Sequence, residues 1–164
     1  MINIRFIPIF EDEKFVTATN EYMEIWTSDG QKILHSLELI SNLKLREDRI
    51  AVLVYEGVSF SGRGLNDAMK LRASYNKDVK KGTLIHELSH RLLFDTQIRT
   101  SEDEHKLLNL FLYDVWNNLY GKDFSDMMVD VESERSEMYK NAWKYALSMN
   151  SSERKELFTK LVHS

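Results

Sequence analysis

The chain of 164 residues contains no cysteine. Disulfide bonds and thiolate metal sites are therefore excluded, and a metal ion would have to be held by imidazole and carboxylate groups. Proline occurs once and glycine six times, which favours long regular elements over elaborate loops. With 43% hydrophobic and 29% charged residues, the composition is that of an ordered globular protein, and the length predicts a single domain over residues 1–164.

An excess of basic residues is also missing. The net charge is −4, so the sequence gives no clear indication of nucleic-acid binding, and the charged run at residues 77–81 is interpreted as a solvated turn. No stretch approaches the roughly 20 apolar residues of a membrane span. The first six residues lack the basic start and apolar core of a signal peptide. We therefore expect a cytoplasmic protein; the sequence does not predict its oligomeric state.

The first half of the chain predicts a small sheet. The apolar run at residues 2–10 indicates a strand, with Pro8 at its end or at a sheet edge. Helical spacing follows from residue 13 to about 45, broken near Gly30. Residues 50–55 are the strongest strand signal, and the glycine-containing segment 57–67 predicts a hairpin loop to a returning strand at 68–75. The sequence thus predicts a short, mainly antiparallel sheet.

The second half predicts helices. Gly82 and Thr83 are expected to open a largely buried helix, and Ser101 with Glu104 has the form of a capping box for the next helix, which Gly121 would end. Further helical stretches are predicted at residues 126–149 and 151–162. The expected fold class is α+β, a short mainly antiparallel sheet packed on the helix that follows Gly82, with further C-terminal helices.

The motif that points to chemistry is His86-Glu87-Leu88-Ser89-His90. Helical positions four apart lie on the same face, so both imidazoles can converge on one ion. Neutral imidazole suits zinc, and Glu87 can reach a water on that ion and act as general base. The string arises by chance in roughly one chain per hundred of this length, but two histidines and a glutamate in a buried helix are costly without a partner. The sequence predicts a zinc site.

These five residues match the signature of the zincin metallopeptidases. The resemblance implies that His86 and His90 are zinc ligands, that Glu87 is the catalytic base, and that the chain hydrolyses peptide bonds in a peptide or protein substrate. The predicted element order over residues 1–120 also resembles a minimal zincin domain, either SprT-like or gluzincin-like. The chain departs from the metzincin pattern, because Leu93 and Thr96 stand where that group has a glycine and a third histidine.

The third ligand stays open at this point. SprT-like proteins use a histidine a short way downstream, which is similar to His105, and no gluzincin Glu-x-x-x-Asp pattern is present. Glu104 is expected to be occupied by the capping box. Asp114 cannot share an ion with His105, because nine helical residues separate them by ~13.5 Å. We favour His105, with Glu104 and Asp114 as alternatives.

Groups around the ion are less defined by the sequence. Zincin sites often add a tyrosine or histidine that stabilises the oxyanion, and the sequence does not select among Tyr75, Tyr113, Tyr120 and Tyr139. A group that orients the imidazoles is also expected, with Asp95, Asp114 and Asp130 as candidates that the sequence does not distinguish. His35 and His163 are interpreted as structural or solvated. Residues 51–55 or 69–75 could offer a sheet edge to an extended substrate.

Two other functions are compatible with this sequence. One is a catalytically inactive zincin-like domain that serves as a metal-binding or protein-interaction module. The other is a hydrolase that acts on a non-peptide amide or ester. Dependence of function on Glu87 separates the first of these from a peptidase.

Overall fold

A computed structural model describes residues 2–96 and 100–162, which form one three-stranded sheet and six helices. The fold class is α+β, as predicted. The elements in chain order are β1 Asn3–Pro8, α1 Glu13–Ser41, β2 Arg49–Tyr55, β3 Met69–Arg72, α2 Lys77–Leu93, α3 Ser101–Tyr120, α4 Lys122–Ser133, α5 Glu137–Leu147 and α6 Ser151–Val162.

The sheet has the strand order β1-β2-β3, and both pairs of strands are parallel. The predicted antiparallel sheet is therefore wrong. Helix α1 provides the long crossover that a parallel β1–β2 pair requires. The second connection, residues 56–68, is far longer than the about 2–5 residues of a hairpin loop, and this length was the signal against a hairpin.

The topology also corrects the expected substrate edge. Strand β2 lies between β1 and β3, so residues 51–55 have no free edge. On the outer side of β3, Lys70 exchanges two backbone hydrogen bonds with Phe60, at 2.8 and 2.9 Å, in an isolated antiparallel bridge. Part of the edge offered by residues 69–75 is therefore already paired within the chain. Pro8 ends the edge strand β1, as predicted.

Helix α1 runs unbroken through the Ser28-Asp29-Gly30 segment, so the predicted interruption is wrong. A Cβ atom at Gly30 would lie 2.8 Å from the indole ring of Trp26, one turn earlier. Glycine at this position allows the close approach of the indole and does not mark a break.

Helix α2 begins at Lys77, earlier than predicted, because Asn76 caps it through a hydrogen bond from the Val79 backbone N–H at 2.9 Å. Residues 77–81, interpreted as a solvated turn, are its first turn. Lys80 is buried and donates a 2.7 Å hydrogen bond to the Tyr75 carbonyl. From Gly82 to Leu93 every residue is buried, which confirms the predicted buried helix.

The chain divides into two compact units, and the division falls within α1. The first comprises Met1–Leu34 and Leu45–Phe94. Within it, apolar residues of the strands and of α2 are buried, and the Tyr22 hydroxyl donates a 2.9 Å hydrogen bond to the Arg72 carbonyl. These contacts join α1 to the end of β3, and α2 also packs against β3.

The second unit comprises His35–Lys44 and Asp95–Ser164. Helix α3 packs against α4, α5 and α6, and its long apolar face is buried as predicted. Its N-cap is Thr100, whose hydroxyl accepts a hydrogen bond from the Asp103 N–H at 3.1 Å; the predicted cap at Ser101 is wrong. Gly121, with φ of 87°, ends α3 as predicted.

The stretch predicted as helical at residues 126–149 contains parts of two helices. Helix α4 already begins at Lys122, and α5 begins at Glu137 with Ser136 as its N-cap. The predicted helix at residues 151–162 is confirmed. Over the described ranges, no helix is both long and apolar enough to span a membrane. The prediction of a single domain is not tested and stays a prediction.

A buried ion pair joins α2 to the segment before β2. Arg91 donates a 2.6 Å hydrogen bond from Nη1 to Glu47, and both side chains are almost completely buried. The same guanidinium donates to the Asp67 carbonyl. Burial lowers the pKa of Arg91, and the charge of Glu47 opposes that shift. Through Glu47 and the Asp67 carbonyl, Arg91 fixes the end of α2, next to His90, to the segments before and after β2.

We predict that Glu47→Ala lowers the free energy of unfolding by about 3–5 kcal/mol, because it leaves the Arg91 charge buried without its carboxylate. Urea denaturation measures this change. Glu24→Ala removes an exposed ion pair with Lys77 in the same unit and should cost less than about 1 kcal/mol. Equal losses in the two variants would contradict a special role for the buried pair.

Candidate metal centre

Helix α2 brings the two motif histidines together. His86 and His90 lie one helical turn apart, and their Nε2 atoms are separated by 3.0 Å. The exposed fractions are only 1% for His86 and 7% for His90. The imidazole nitrogens of two side chains thus lie close together on a helix whose surface has little contact with water.

His105 supplies the third nitrogen of the group. It lies in the second turn of α3 and is 5% exposed. The candidate ligand atoms of His86, His90 and His105 all lie within 4.8 Å of one another. This group is a possible metal site, and it contains the three histidines predicted from the sequence.

The chemistry of this donor set fits a metal ion of the zinc type. Bonds of ~2.0–2.1 Å at tetrahedral angles place neighbouring ligand nitrogens about 3.3 Å apart, close to the 3.0 Å between the two Nε2 atoms. At 3.0 Å two neutral imidazoles can also share an N–H···N hydrogen bond. Binding of a metal ion by both Nε2 atoms would require the donor imidazole to carry its proton on Nδ1 instead, which is a change of tautomer without net loss of a proton.

Glu87 is buried beside the first histidine, with 4% of its surface exposed. The charge of the Glu87 carboxylate affects the pKa values of two neighbouring side chains. Burial raises the pKa of Tyr55, and the Glu87 carboxylate adds to this increase. Glu87 also opposes the effect of burial on the pKa of Arg91. Tyr55 and Arg91 therefore share the electrostatic environment of Glu87.

Tyr55 is a neighbour that the sequence did not single out. It is the last residue of β2, and in a parallel sheet the carboxyl ends of strands are frequent ligand sites. The sequence predicted an antiparallel hairpin here, and therefore gave no reason to expect a ligand site at Tyr55. Its hydroxyl donates a hydrogen bond to the Val58 carbonyl.

An aromatic ring packs against His105 within its own unit. The ring of Tyr139, on α5, meets the His105 ring edge-on with centroids 4.5 Å apart. The Arg135 guanidinium lies 5.8 Å from the centroid of the same tyrosine ring, and Arg135 is also 3.9 Å from the fully buried Glu132. Arg135, which lies between α4 and α5, thus links the aromatic neighbour of His105 to Glu132 on α4.

The other candidate ligands lie outside the histidine group. Asp114 is bound by Arg154 through two hydrogen bonds, at 2.7 and 3.1 Å. Glu104 is not a member of the histidine group found among the described residues. The prediction that a capping box with Ser101 occupies Glu104 is wrong, because the N-cap is Thr100. The side chains of Asp95 and Asp130 are exposed, so the aspartate predicted to orient the imidazoles stays unassigned.

Three of the four candidate tyrosines have other neighbours. Tyr113 donates a 2.7 Å hydrogen bond to Asp126, the Tyr120 ring contacts Phe124 at a tilt of 52°, and the Tyr75 ring faces the Arg72 guanidinium. Tyr139 contacts the candidate ligand His105. His35 is exposed on α1, and His163 lies outside the described residues.

Comparison of the chain with protein-family models, curated proteins and solved structures gives no match.

We predict that the purified protein binds one zinc ion per chain and that His86→Ala abolishes this binding, because two nitrogens cannot replace the three-nitrogen set. Elemental analysis after dialysis and competition with a chromophoric chelator give the stoichiometry and the affinity. His35→Ala removes an exposed histidine and is the matched control. Equal zinc content in the two variants would exclude this site.

We predict that Tyr139→Leu weakens zinc binding about 2- to 10-fold, because an aromatic contact of this kind contributes about 0.5–1.5 kcal/mol. Tyr139→Phe keeps the ring and should keep the affinity. The same chelator competition measures both variants. If Tyr139→Leu and Tyr139→Phe bind zinc with the same affinity, the ring contact does not hold His105 in place.

Proposed function

We propose that the chain is a zinc-dependent metallopeptidase. The observation that carries the proposal is the convergence of three buried histidine side chains, with a buried glutamate directly following the first of them. Three nitrogen ligands with an open fourth position form a common catalytic zinc set. The match of the motif to the zincin signature supports the same chemistry.

In this proposal His86, His90 and His105 hold the ion. When bound, zinc supplies a Lewis acid that polarises the scissile carbonyl and lowers the pKa of a water ligand. The histidines must be neutral to bind, so the site loads less well as the pH falls through the range in which imidazole is protonated.

Glu87 is proposed as general base. Its carboxylate accepts a proton from the attacking water and returns it to the amine that leaves when the peptide bond breaks. Its position next to His86 on the same helix supports this role, because the side chain can approach the water without joining the ligand set. The buried setting supports it further, since few solvent molecules compete for the carboxylate.

A second candidate function is a metal-binding module without catalysis. The observation that favours it is the burial of all three histidines, since structural zinc sites are closed and catalytic sites keep a position open to water and substrate. Glu87 distinguishes the two functions, because a purely structural site does not need a base beside its ligands.

We predict that Glu87→Gln retains zinc but loses at least about 10²-fold in the rate of peptide hydrolysis, in line with general-base catalysis. The assay follows cleavage of fluorescently labelled casein by the zinc-loaded protein. Chelation of the wild type should abolish cleavage, and added zinc should restore it.

Two results would contradict the peptidase. One is a zinc-loaded wild type that cleaves neither casein nor an unstructured peptide mixture, which would leave the metal-binding module. The other is a Glu87→Gln variant as active as the wild type. Zinc content and thermal unfolding of the variant confirm that its fold and metal site are intact.

A further inference from the structure

Asn109 is a polar residue in the apolar interior of the second unit. It lies on α3 and has no exposed surface. Among the described residues, neither its Oδ1 nor its Nδ2 atom has a hydrogen-bond partner. The neighbours along the helix, Leu107, Leu108, Leu110, Phe111 and Leu112, are all buried and apolar. A buried amide without partners destabilises a fold.

Leucine at this position would satisfy the pattern of α3 better than asparagine does. The two side chains are similar in size, and replacing an unpartnered polar group by an apolar one of similar shape is neutral or stabilising. Natural proteins tolerate such local conflicts mainly where function requires the polar group. The position of Asn109 relative to His105 suggests which function that is.

Asn109 follows His105 by four residues, so the two side chains are neighbours on one face of α3. Helical side chains lean toward the N-terminus and cover the preceding turn. The amide of Asn109 therefore leans toward the turn that carries His105. A histidine that binds a metal through one ring nitrogen donates the N–H of the other to an acceptor, and an amide oxygen is such an acceptor.

We infer that Asn109 is a positioning residue for the third metal ligand. Its Oδ1 accepts the ring N–H of His105, directly or through one ordered water, when the opposite nitrogen binds the ion. The inference rests on the proposed metal site. The hydrogen bond fixes the tautomer and the direction of the His105 ring, and thereby raises the affinity for the metal.

A purely structural explanation gives a different result when Asn109 is replaced. In both explanations Asn109→Leu should raise the thermal stability of the metal-free protein, because the unpartnered amide is gone. Only a positioning role predicts that the same change weakens zinc binding, by about 10- to 100-fold. Stability and metal affinity would then change in opposite directions.

Trp116 provides the matched control. It also lies on α3 and is fully buried, and its Nε1 has no hydrogen-bond partner among the residues described. It is eleven residues beyond His105, which corresponds to about 16 Å of helix. Trp116→Phe removes a buried polar atom from the same helix without touching the neighbourhood of His105, so zinc affinity should stay within about twofold of the wild type, given that distant sites act independently.

The experiment measures zinc affinity by chelator competition, the absorption spectrum of the cobalt-substituted protein and thermal unfolding without metal. We expect a weaker affinity and an altered cobalt spectrum for Asn109→Leu. Asn109→Asp, which keeps an acceptor oxygen, should bind zinc more tightly than Asn109→Leu. Wild-type affinity in Asn109→Leu, or equal losses in the leucine and aspartate variants, would overturn the inference while the proposed function stands. A wild type that binds no zinc would overturn both.

Discussion

The burial of α2 is the constraint on which the candidate site depends. A helix that packs on nearly all sides gives its side chains little freedom, so His86 and His90 are held with their Nε2 atoms 3.0 Å apart. The same burial removes water, which makes each unsatisfied polar group costly. Within this helix Arg91 is paired with Glu47 and Ser89 donates to the Ile85 carbonyl, whereas His86 and His90 belong to the candidate metal site.

The fixed end of α2 has an equally specific cause. Arg91 follows His90 directly, and its pairing with Glu47 and with the Asp67 carbonyl ties the last turn to the chain before and after β2. A buried pair of this kind gives little net stability compared with apolar residues. Its effect here is positional, because it limits rotation of α2 about its own axis and so the direction of both imidazoles.

The candidate site was easier to predict from the sequence than the sheet. Spacing within one helix is local, so His86, Glu87 and His90 could be placed on one face without knowledge of the fold. His105 followed from a resemblance and from its place in the next helix. Strand direction depends on contacts between distant segments, and the long connection at residues 56–68 was interpreted as a hairpin loop. Gly30 was misleading for a different reason: the contact with the Trp26 ring that explains it is local, but glycine in a sequence more commonly indicates a break than a close approach of side chains.

Asn109 shows where pattern-based reasoning reaches its limit. In the sequence it is one polar residue within an apolar helix, and the periodicity of α3 gives no reason to single it out. Its meaning depends on two facts from the structure, complete burial and the lack of a hydrogen-bond partner among the described residues. A polar group that a core would exclude, one turn from a candidate ligand, is a local conflict that a metal site resolves.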